Sequence, residues 1–419
     1  MQTCRGSPKV KVAKVAVLDT IHGASTIARA LCISGMDACA FEVYHQAQSV
    51  SGFDLVVAPV HLSPANPALI DAKRLQKRII THHAAVGELL RDDIRQSLKI
   101  FEVTGTHSKT TTALLLARII SSKMKAISHS TRGLELWSNG SSRILQTGLS
   151  ITPANVIHAV KAADAHEADA LICEISLGGT GLADWGILTS LSGDYKIAGG
   201  ARWASTAKLQ MVSLAKPGSN IVANTDAKIS PDISFGSGGK ITARPNEICS
   251  GSDKARLTLG EDLDFESYET AISASSAAAY CAGFSIKEIA DALEGLDGIS
   301  GRMKVTRSPG VTVYDSSNSG LKVSDIKHVL DLMTDGRIGL VVGEEAETVC
   351  EGMNIPDLVE LLFKYRDRID LLVLVGRRLE TYAKELGAET AQDLKTGEGM
   401  ARLSASGLDR LLLCVKCFR

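Results

Sequence analysis

Short apolar runs alternate along this chain with stretches whose apolar residues recur at three- and four-residue spacing. Residues 10–18 read as a strand, 26–34 as a helix, and 37–43 and 53–60 as two further strands. Residues 68–76 are helical, 78–81 form a strand and 85–91 a helix, so the pattern predicts a small parallel α/β domain. Near residues 96–99 a second domain begins. Its first apolar run ends in Phe101-Glu102-Val103-Thr104-Gly105. Thr106-His107-Ser108-Lys109-Thr110-Thr111-Thr112 and the helix-forming Ala113-Leu114-Leu115-Leu116-Ala117 follow. Further strands are predicted over 126–129, 168–175, 186–190 and 220–223. Helices are predicted over 152–163, with Thr152 as N-cap and Pro153 at the first helical position, and over 203–214. The Ser/Gly-rich stretch 230–267 reads as a small β excursion, followed by helices over 270–282 and 286–294. From Gly298 a third α/β unit carries strands over 311–314, 338–342, 371–375 and 410–415. The expected fold is therefore α/β with three domains, each on a mainly parallel sheet flanked by helices: 1–97, 98–299 and 300–419.

Length agrees, since 419 residues suit two or three domains. An apolar fraction of 45% supplies real cores, and aromatics at 4% make those cores Ala, Leu, Ile and Val. The net charge of −1, with no basic stripe, predicts no nucleic-acid partner. Nine scattered cysteines fit reduced thiols in a cytoplasmic protein, and the single Cys414-x-x-Cys417 pair reads as incidental. Apolar runs such as Leu371-Leu372-Val373-Leu374-Val375 have strand length, so no membrane span is expected. Residues 1–9 lead into no apolar stretch of the kind a signal peptide needs.

The order strand, glycine turn, lysine, hydroxyl run, helix predicts a phosphate loop. Backbone N–H groups of the turn face an anion and the helix N-terminus adds its positive dipole end. Lys109 would reach the β/γ-phosphates, and Thr110 or Thr111 would bind Mg²⁺. Glu174 ends a buried strand before the turn Gly178-Gly179-Thr180-Gly181, a position that suits a Mg²⁺ carboxylate. In the first domain, the predicted carboxyl ends of strands carry Asp19, His22, Gly23, Tyr44, His45, His61, His82 and His83, and parallel sheets bind ligands at such ends. These residues read either as a metal site or polar pocket, or as histidines that loops tolerate. His22 beside Gly23 is taken as functional and His45 as a loop residue. The spacing is not that of a zinc site.

Gly105-Thr106-His107-Ser108-Lys109-Thr110-Thr111 resembles the phosphate loop of the Mur ligase superfamily, with Ser108 where that loop has its second glycine. If the loop needs φ > 0 there, Ser108 is strained. Further marks recur in order. Glu174-Ile175-Ser176 resembles the superfamily's Glu-x-Ser, which implies Mg²⁺ on Glu174 and the loop hydroxyl. Thr189-Ser190-Leu191-Ser192-Gly193-Asp194-Tyr195 resembles Thr-Asn-Ile-x-x-Asp-His, so Tyr195 takes the place of a second metal's histidine. Trp203-Ala204-Ser205-Thr206-Ala207-Lys208 resembles the segment whose lysine many members carbamylate; the alternative for Lys208 is an exposed helical lysine. Ile221-Val222-Ala223-Asn224-Thr225-Asp226 resembles Val-x-Asn-x-Asp-Asp, which implies a nucleotide-site role for Asn224. Gly301-Arg302 resembles the Gly-Arg whose Arg holds the nucleotide phosphates, and Tyr314-Asp315 with Asn318 the segment whose Asp contacts the ribose side. Where the adenine motif belongs, Ser267, Tyr268 and Ala271 stand instead.

Within the superfamily, Asp19-x-x-His22-Gly23 after the first strand is most similar to the coenzyme F-430 synthetase family. That resemblance implies ATP- and Mg²⁺-dependent activation of a carboxylate on a small-molecule substrate, a nickel tetrapyrrole. The carboxylate becomes an acyl phosphate, which a carbon of the same macrocycle attacks. Lys109, Glu174, Lys208 and Arg302 are the catalytic candidates, and Asp19, His22, Gly23 and His61 the substrate-binding ones. His22 and His61 are also candidates for the base. Two rivals stand beside this reading: an amide-forming ligase adding an amino acid or glutamate, and a nucleotide-binding switch that ligates nothing.

Overall fold

The computed structural model describes residues 13–46, 48–308, 310–345, 352–404 and 407–417. The basic stretch 1–9 and the first residues of the expected strand 10–18 lie outside the described residues. The chain divides into two compact units. Unit 1 holds the described residues of Met1–Thr242, Cys249–Ser252 and Thr270–Ile289; unit 2 holds Ala243–Ile248, Asp253–Glu269 and Ala290–Arg419.

Unit 1 opens with β1 (Lys14–Leu18), α1 (Ala24–Ile33), β2 (Asp37–Phe41), β3 (Leu55–Ala58), α2 (Pro67–Arg74), β4 (Arg78–Thr81) and α3 (His82–Leu90). The four strands pair in parallel in the order β2-β1-β3-β4. Val15, Ala16, Val17 and Leu18 are all buried, as a strand covered on both faces requires. Local chemistry sets the helix starts. Asn66 caps α2 through the Ala68 N–H with Pro67 in the first turn, and Thr81 caps α3 through the Ala84 N–H (3.1 Å). That cap corrects the expected start of α3 at residue 85: the helix begins at His82, so His82 and His83 are buried helix residues and not loop groups.

The second sheet of unit 1 is built from β5 (Lys99–Thr104), α4 (Lys109–Ile120), β6 (Ala126–Ser130), β7 (Gly133–Ser138), β8 (Ser141–Gln146), α5 (Val156–Ala165), β9 (Ala170–Glu174) and β10 (Trp185–Leu188). After a two-strand ladder, β11 (Lys196–Ile197) with β12 (Arg202–Trp203), come α6 (Ala204–Lys208), α7 (Gln210–Ser213), β13 (Asn220–Asn224) and β14 (Ile233–Phe235). Here the strand order is β14-β13-β10-β5-β9-β6-β7-β8, parallel as far as β6 and antiparallel over the β7–β8 hairpin. The helix expected over 203–214 is therefore corrected twice. Trp203 pairs with Lys196 in a ladder, and the helix breaks at Leu209 into α6 and α7.

The two sheets share one core. Val15, Val17, Ile27 and Val86 pack in a single cluster with Ile100, Ile127, Ile157 and Leu171. Two glycines permit the approach. A Cβ on Gly23 (φ 100°) would stand 2.4 Å from the Ala154 Cβ, and one on Gly87, inside α3, 2.0 Å from the Thr180 carbonyl oxygen. The first sheet is thus seated on the second through side-chain interlock.

β15 (Ile241–Arg244), β16 (Glu247–Ser250) and β17 (Asp253–Arg256) make up the expected β excursion, followed by α8 (Phe265–Cys281) and α9 (Ile286–Ala292). Unit 2 then runs through β18 (Lys304–Ser308), β19 (Val311–Asp315), α10 (Val323–Leu332), β20 (Ile338–Glu344), α11 (Ile355–Tyr365), β21 (Leu371–Val375), α12 (Arg377–Glu380), α13 (Ala383–Leu386), β22 (Glu389–Ala391), α14 (Leu394–Leu403) and β23 (Arg410–Lys416). Its sheet has the order β18-β19-β23-β20-β21-β22, parallel except for the β18–β19 pair. One face packs Ile326, Leu330, Leu358 and Leu362, the other Val313, Leu394 and Ala401. Among the described residues, no helix is long and apolar enough to cross a membrane.

Candidate active site

The phosphate loop leaves the carboxyl end of β5 and enters α4. Gly105 sits at φ 152°, and a Cβ there would stand 2.0 Å from the Thr189 hydroxyl and 3.0 Å from the Ser190 N–H nitrogen. The loop is tied to the end of β10: Thr106 N–H donates to the Ser190 carbonyl (2.9 Å), and the Thr189 hydroxyl donates to the His107 carbonyl (2.5 Å). Ser108 does adopt the left-handed conformation, at φ 60°, ψ 5°. A side chain there costs about 1–2 kcal/mol relative to the right-handed helix, so Ser108→Gly should raise the stability of unit 1 by about 0.5–1 kcal/mol after glycine's own entropy is counted. All three tryptophans, at 137, 185 and 203, lie in unit 1. A higher urea midpoint by tryptophan fluorescence checks this, and a lower one counts against it.

Lys109 opens α4, and Thr110 follows in its first turn. The Thr110 hydroxyl lies 2.9 and 2.8 Å from the two oxygens of Glu174, at the end of β9. Thr131 completes the group: its N–H donates to Glu174 Oε2 (3.3 Å) and its hydroxyl is 3.3 Å from that of Thr110. Glu174 is 1% exposed and Thr110 6%. A buried carboxylate beside two hydroxyls is an all-oxygen donor set, which fits Mg²⁺. The glycine cradle and the N-terminus of α4 fit a phosphate chain. Thr131 was not singled out from the sequence, because nothing in it but its place after β6 marks it. Thr111 is also buried in α4.

Neighbouring loops are fixed by carboxylates. Asp226 accepts from the Ser190 hydroxyl and from the Leu191 and Ser192 N–H groups (both 3.2 Å). Asn224 donates to the Thr189 carbonyl (3.0 Å) and accepts from the Asp226 N–H (3.2 Å), so it braces the loop beside the phosphate cradle. Glu102, buried within β5, accepts from the N–H (2.9 Å) and the hydroxyl of Thr180 and so anchors the glycine turn that follows Glu174. Burial raises the Glu102 carboxyl above the usual range, against the lowering effect of the Thr180 bonds.

Lys208 is not the exposed helical lysine of the alternative reading. It is 1% exposed at the end of α6, with Nζ 5.7 Å from the centre of the Tyr195 ring. Tyr195 packs with Val60, Leu177, Ala204 and Ala207. Asp194 accepts from Ser205 N–H (2.9 Å) and from the Ser205 hydroxyl. Burial raises the Asp194 carboxyl, but those Ser205 bonds and the Lys208 charge lower it further, and the net position is below the usual carboxylate range.

The carboxyl ends of the first sheet bring Asp19, His22, Tyr44 and His61 together. His22 Nδ1 is 2.7 Å from Asp19 Oδ2, His61 Nε2 is 3.2 Å from it, and the Tyr44 hydroxyl donates to it at 2.8 Å. The other oxygen, Asp19 Oδ1, accepts from the Ile21 and His22 N–H groups (both 3.1 Å). Burial alone would raise the Asp19 carboxyl, but the bonds from His22, His61 and Tyr44 win and hold it well below the usual range. Gly23, expected among the substrate-binding residues, also makes the close approach to Ala154.

His82 and His83 stand behind this cluster. His82 Nε2 is 2.9 Å from the Leu18 carbonyl, and His83 Nε2 is 2.8 Å from the Ser176 carbonyl. Burial pushes them down to about 3 and about 4. Above their ordinary value of about 6.5 both are neutral folded or unfolded. Below it the unfolded chain takes protons that the folded chain refuses. Stability of unit 1 should therefore be full above about pH 6.5 and fall by up to about 1.4 kcal/mol per pH unit for each histidine as the pH drops towards 4. Urea midpoints by tryptophan fluorescence at a series of pH values check this, and a flat profile between pH 7 and 5 is the contrary result.

Arg302 and Asp315 lie in unit 2. Gly301 N–H donates to Asp315 Oδ2 (3.0 Å), and Asn318 Nδ2 donates to the Gly301 carbonyl (3.0 Å), so the turn bearing Arg302 is tied to the end of β19. Tyr268, in the place of the missing adenine motif, is 1% exposed, and its hydroxyl accepts from the Ile299 N–H (2.6 Å).

Residues 305–417 match the family described as coenzyme F430 synthetase CfbE, C-terminal domain. A coenzyme F(430) synthetase of Methanosarcina acetivorans is 37% identical over 97% of this chain and 99% of that protein. Among solved structures, MurF from Acinetobacter baumannii superposes with a TM-score of 0.57 at 15% identity, covering 88% of each chain. The bifunctional folylpolyglutamate synthase/dihydrofolate synthase from Yersinia pestis gives a TM-score of 0.55 at 16% identity, over 80% of this chain and 90% of that one. At such identities these two speak for the fold alone, whereas the full-length relative speaks for descent. The chain belongs to the coenzyme F(430) synthetase family, ATP-dependent ligases on the Mur-type fold.

Proposed function

We propose that this ligase closes a carbocyclic ring within a nickel seco-tetrapyrrole acid, releasing ADP and phosphate. The observation that carries the reading is the 37% identity to a coenzyme F(430) synthetase along nearly the whole of both chains. The domain roles proposed with it are 1–97 for substrate, 98–299 for nucleotide and 300–419 for closing over the nucleotide.

A carboxylate is a poor electrophile. The substrate carboxylate takes the terminal phosphoryl group of ATP to become an acyl phosphate. A carbon of the same macrocycle then attacks the acyl carbon. The carbon–carbon bond forms as the acyl–oxygen bond breaks, phosphate leaves with that bonding pair, and the attacking carbon gives up its proton. Little covalent chemistry falls to the protein, so catalysis is positioning and charge neutralisation. Gly105 and the N-terminus of α4 cradle the phosphates, Ser108 holding the turn. Lys109 neutralises charge on the transferred group. Bound to Thr110 and Glu174, Mg²⁺ would supply further charge neutralisation on the phosphate oxygens. Lys208, buried at the end of α6, positions the reacting carboxylate. Asn224 holds the nucleotide side of the site, and for Arg302 and Asp315, in unit 2, contact with the phosphates and the ribose is what the family resemblance implies.

Phosphate release from Mg-ATP, measured with a panel of acceptors, tests the assignment. Release with the nickel seco-tetrapyrrole acid alone is expected. Release that needs glutamate, another amino acid or a muramyl precursor would return the protein to the amide-forming ligases.

A further inference from the structure

The cluster at the carboxyl ends of β1 and β3 has a geometry that substrate contact alone does not require. Asp19 Oδ2, His22 Nδ1 and His61 Nε2 converge on one point, with separations of 2.7, 3.2 and 3.2 Å. Among the described residues, this is the group of three His, Cys, Asp or Glu side chains whose ligand atoms gather closely enough to hold one ion. A metal with bonds of about 2.1 Å at right angles sets neighbouring ligand atoms about 3.0 Å apart. The three separations bracket that edge.

The hydrogen-bond pattern is compatible with this. The two ring nitrogens are 3.2 Å apart, within hydrogen-bond reach of each other, and both face the same carboxylate oxygen. The Tyr44 hydroxyl also donates to that oxygen. A single cation satisfies all three lone pairs at once, and Tyr44 then becomes the outer partner that orients the carboxylate. The rings meet edge to face, 4.4 Å between centres at 76°, so both can aim a nitrogen at one ion without clashing. Asp19 is held in a left-handed conformation (φ 80°, ψ 82°), a strained setting for a non-glycine residue that aims its carboxylate into the cluster. Asp19 is fully buried, while the His22 and His61 side chains are 20% and 23% exposed, which leaves one side open.

We propose that Asp19, His22 and His61 form a binding site for a first-row divalent transition metal, Co²⁺, Ni²⁺ or Fe²⁺, with an open coordination side. Two imidazoles and one carboxylate suit that class, and imidazole donors disfavour Mg²⁺ and Ca²⁺. This site is separate from the oxygen-only group of Thr110, Glu174 and Thr131, and it holds whichever bond the ligase forms.

The test uses the untagged full chain, stripped with a chelator and titrated with Co²⁺ under excess Mg²⁺, with Zn²⁺ as competitor. One equivalent of Co²⁺ should bind, with visible d–d absorption that Zn²⁺ abolishes. His61→Ala should weaken binding by at least about 100-fold, and Tyr44→Phe, which removes only the outer partner, by about 10-fold. His45→Ala, at a neighbouring loop residue, should leave it unchanged. Circular dichroism verifies folding, and should His61→Ala not fold, Tyr44→Phe and His61→Asn carry the comparison. A wild-type chain that gives no Co²⁺ spectrum overturns the site. So does a spectrum that persists with equal affinity in the His22→Ala/His61→Ala double variant.

Discussion

Glu174→Gln should lower the rate of phosphate transfer by about 10³-fold or more, roughly 4 kcal/mol of transition-state stabilisation, while the chain stays folded. The amide keeps the shape of the carboxyl and one oxygen to accept from Thr110. It loses the charge, and its NH₂ cannot accept from the Thr131 N–H as Glu174 Oε2 does at 3.3 Å. A group 1% exposed is poorly replaced by bulk water, so the lost charge is felt in full. Single-turnover phosphate release across a Mg²⁺ titration reads this directly. The saturating rate should fall and the Mg²⁺ midpoint rise. Unchanged turnover would remove Glu174 from the site.

Lys208→Met should separate function from packing. Methionine has similar length and no charge, so it fills the space of a side chain that is 1% exposed without supplying the ammonium. The chain should stay folded, and turnover should fall by about 10²–10⁴-fold through loss of a placed positive charge. Lys208→Arg should not restore it, because the wider guanidinium overfills the space of a lysine that is 1% exposed. A lysine that served only packing would give the opposite result, with stability lost and turnover kept. A rise in wild-type turnover with added bicarbonate, absent in Lys208→Met, would instead identify the carbamylated form, an anion that places the metal and not the carboxylate.

The sequence made the phosphate loop legible because its chemistry is local. Gly105 to Thr111 lie in one turn between strand and helix, so order alone gives the loop, and the left-handed Ser108 follows from the glycine it replaces. Glu174 was readable for a related reason, as a residue at the end of a buried strand. Partners that reach the site by tertiary folding were not. Thr131 meets Glu174 across 43 positions, and Glu102 anchors Thr180 across 78. The first sheet shows the same division. Histidines at strand ends were visible, but the convergence of His22 and His61 on Asp19 depends on the parallel pairing of β1 with β3. His82 and His83 were misplaced because Thr81 caps the helix at once, a signal hidden by the β-like run Arg78-Ile79-Ile80 before it. The β7–β8 hairpin did carry a readable mark. Asn139-Gly140 takes positive φ at both residues, as a tight hairpin turn demands, and it lay unread between stretches assigned to other elements.

The central claim is that a carboxylate of the substrate is phosphorylated and then attacked by a carbon of the same molecule. The most direct test supplies the nickel seco-tetrapyrrole acid with ¹⁸O in the reacting carboxyl group, together with Mg-ATP and no amine. The account predicts one ¹⁸O in the released phosphate and a product lighter than the substrate by one water. Unlabelled phosphate, or a product that forms only when an amine is added and carries it, would contradict it.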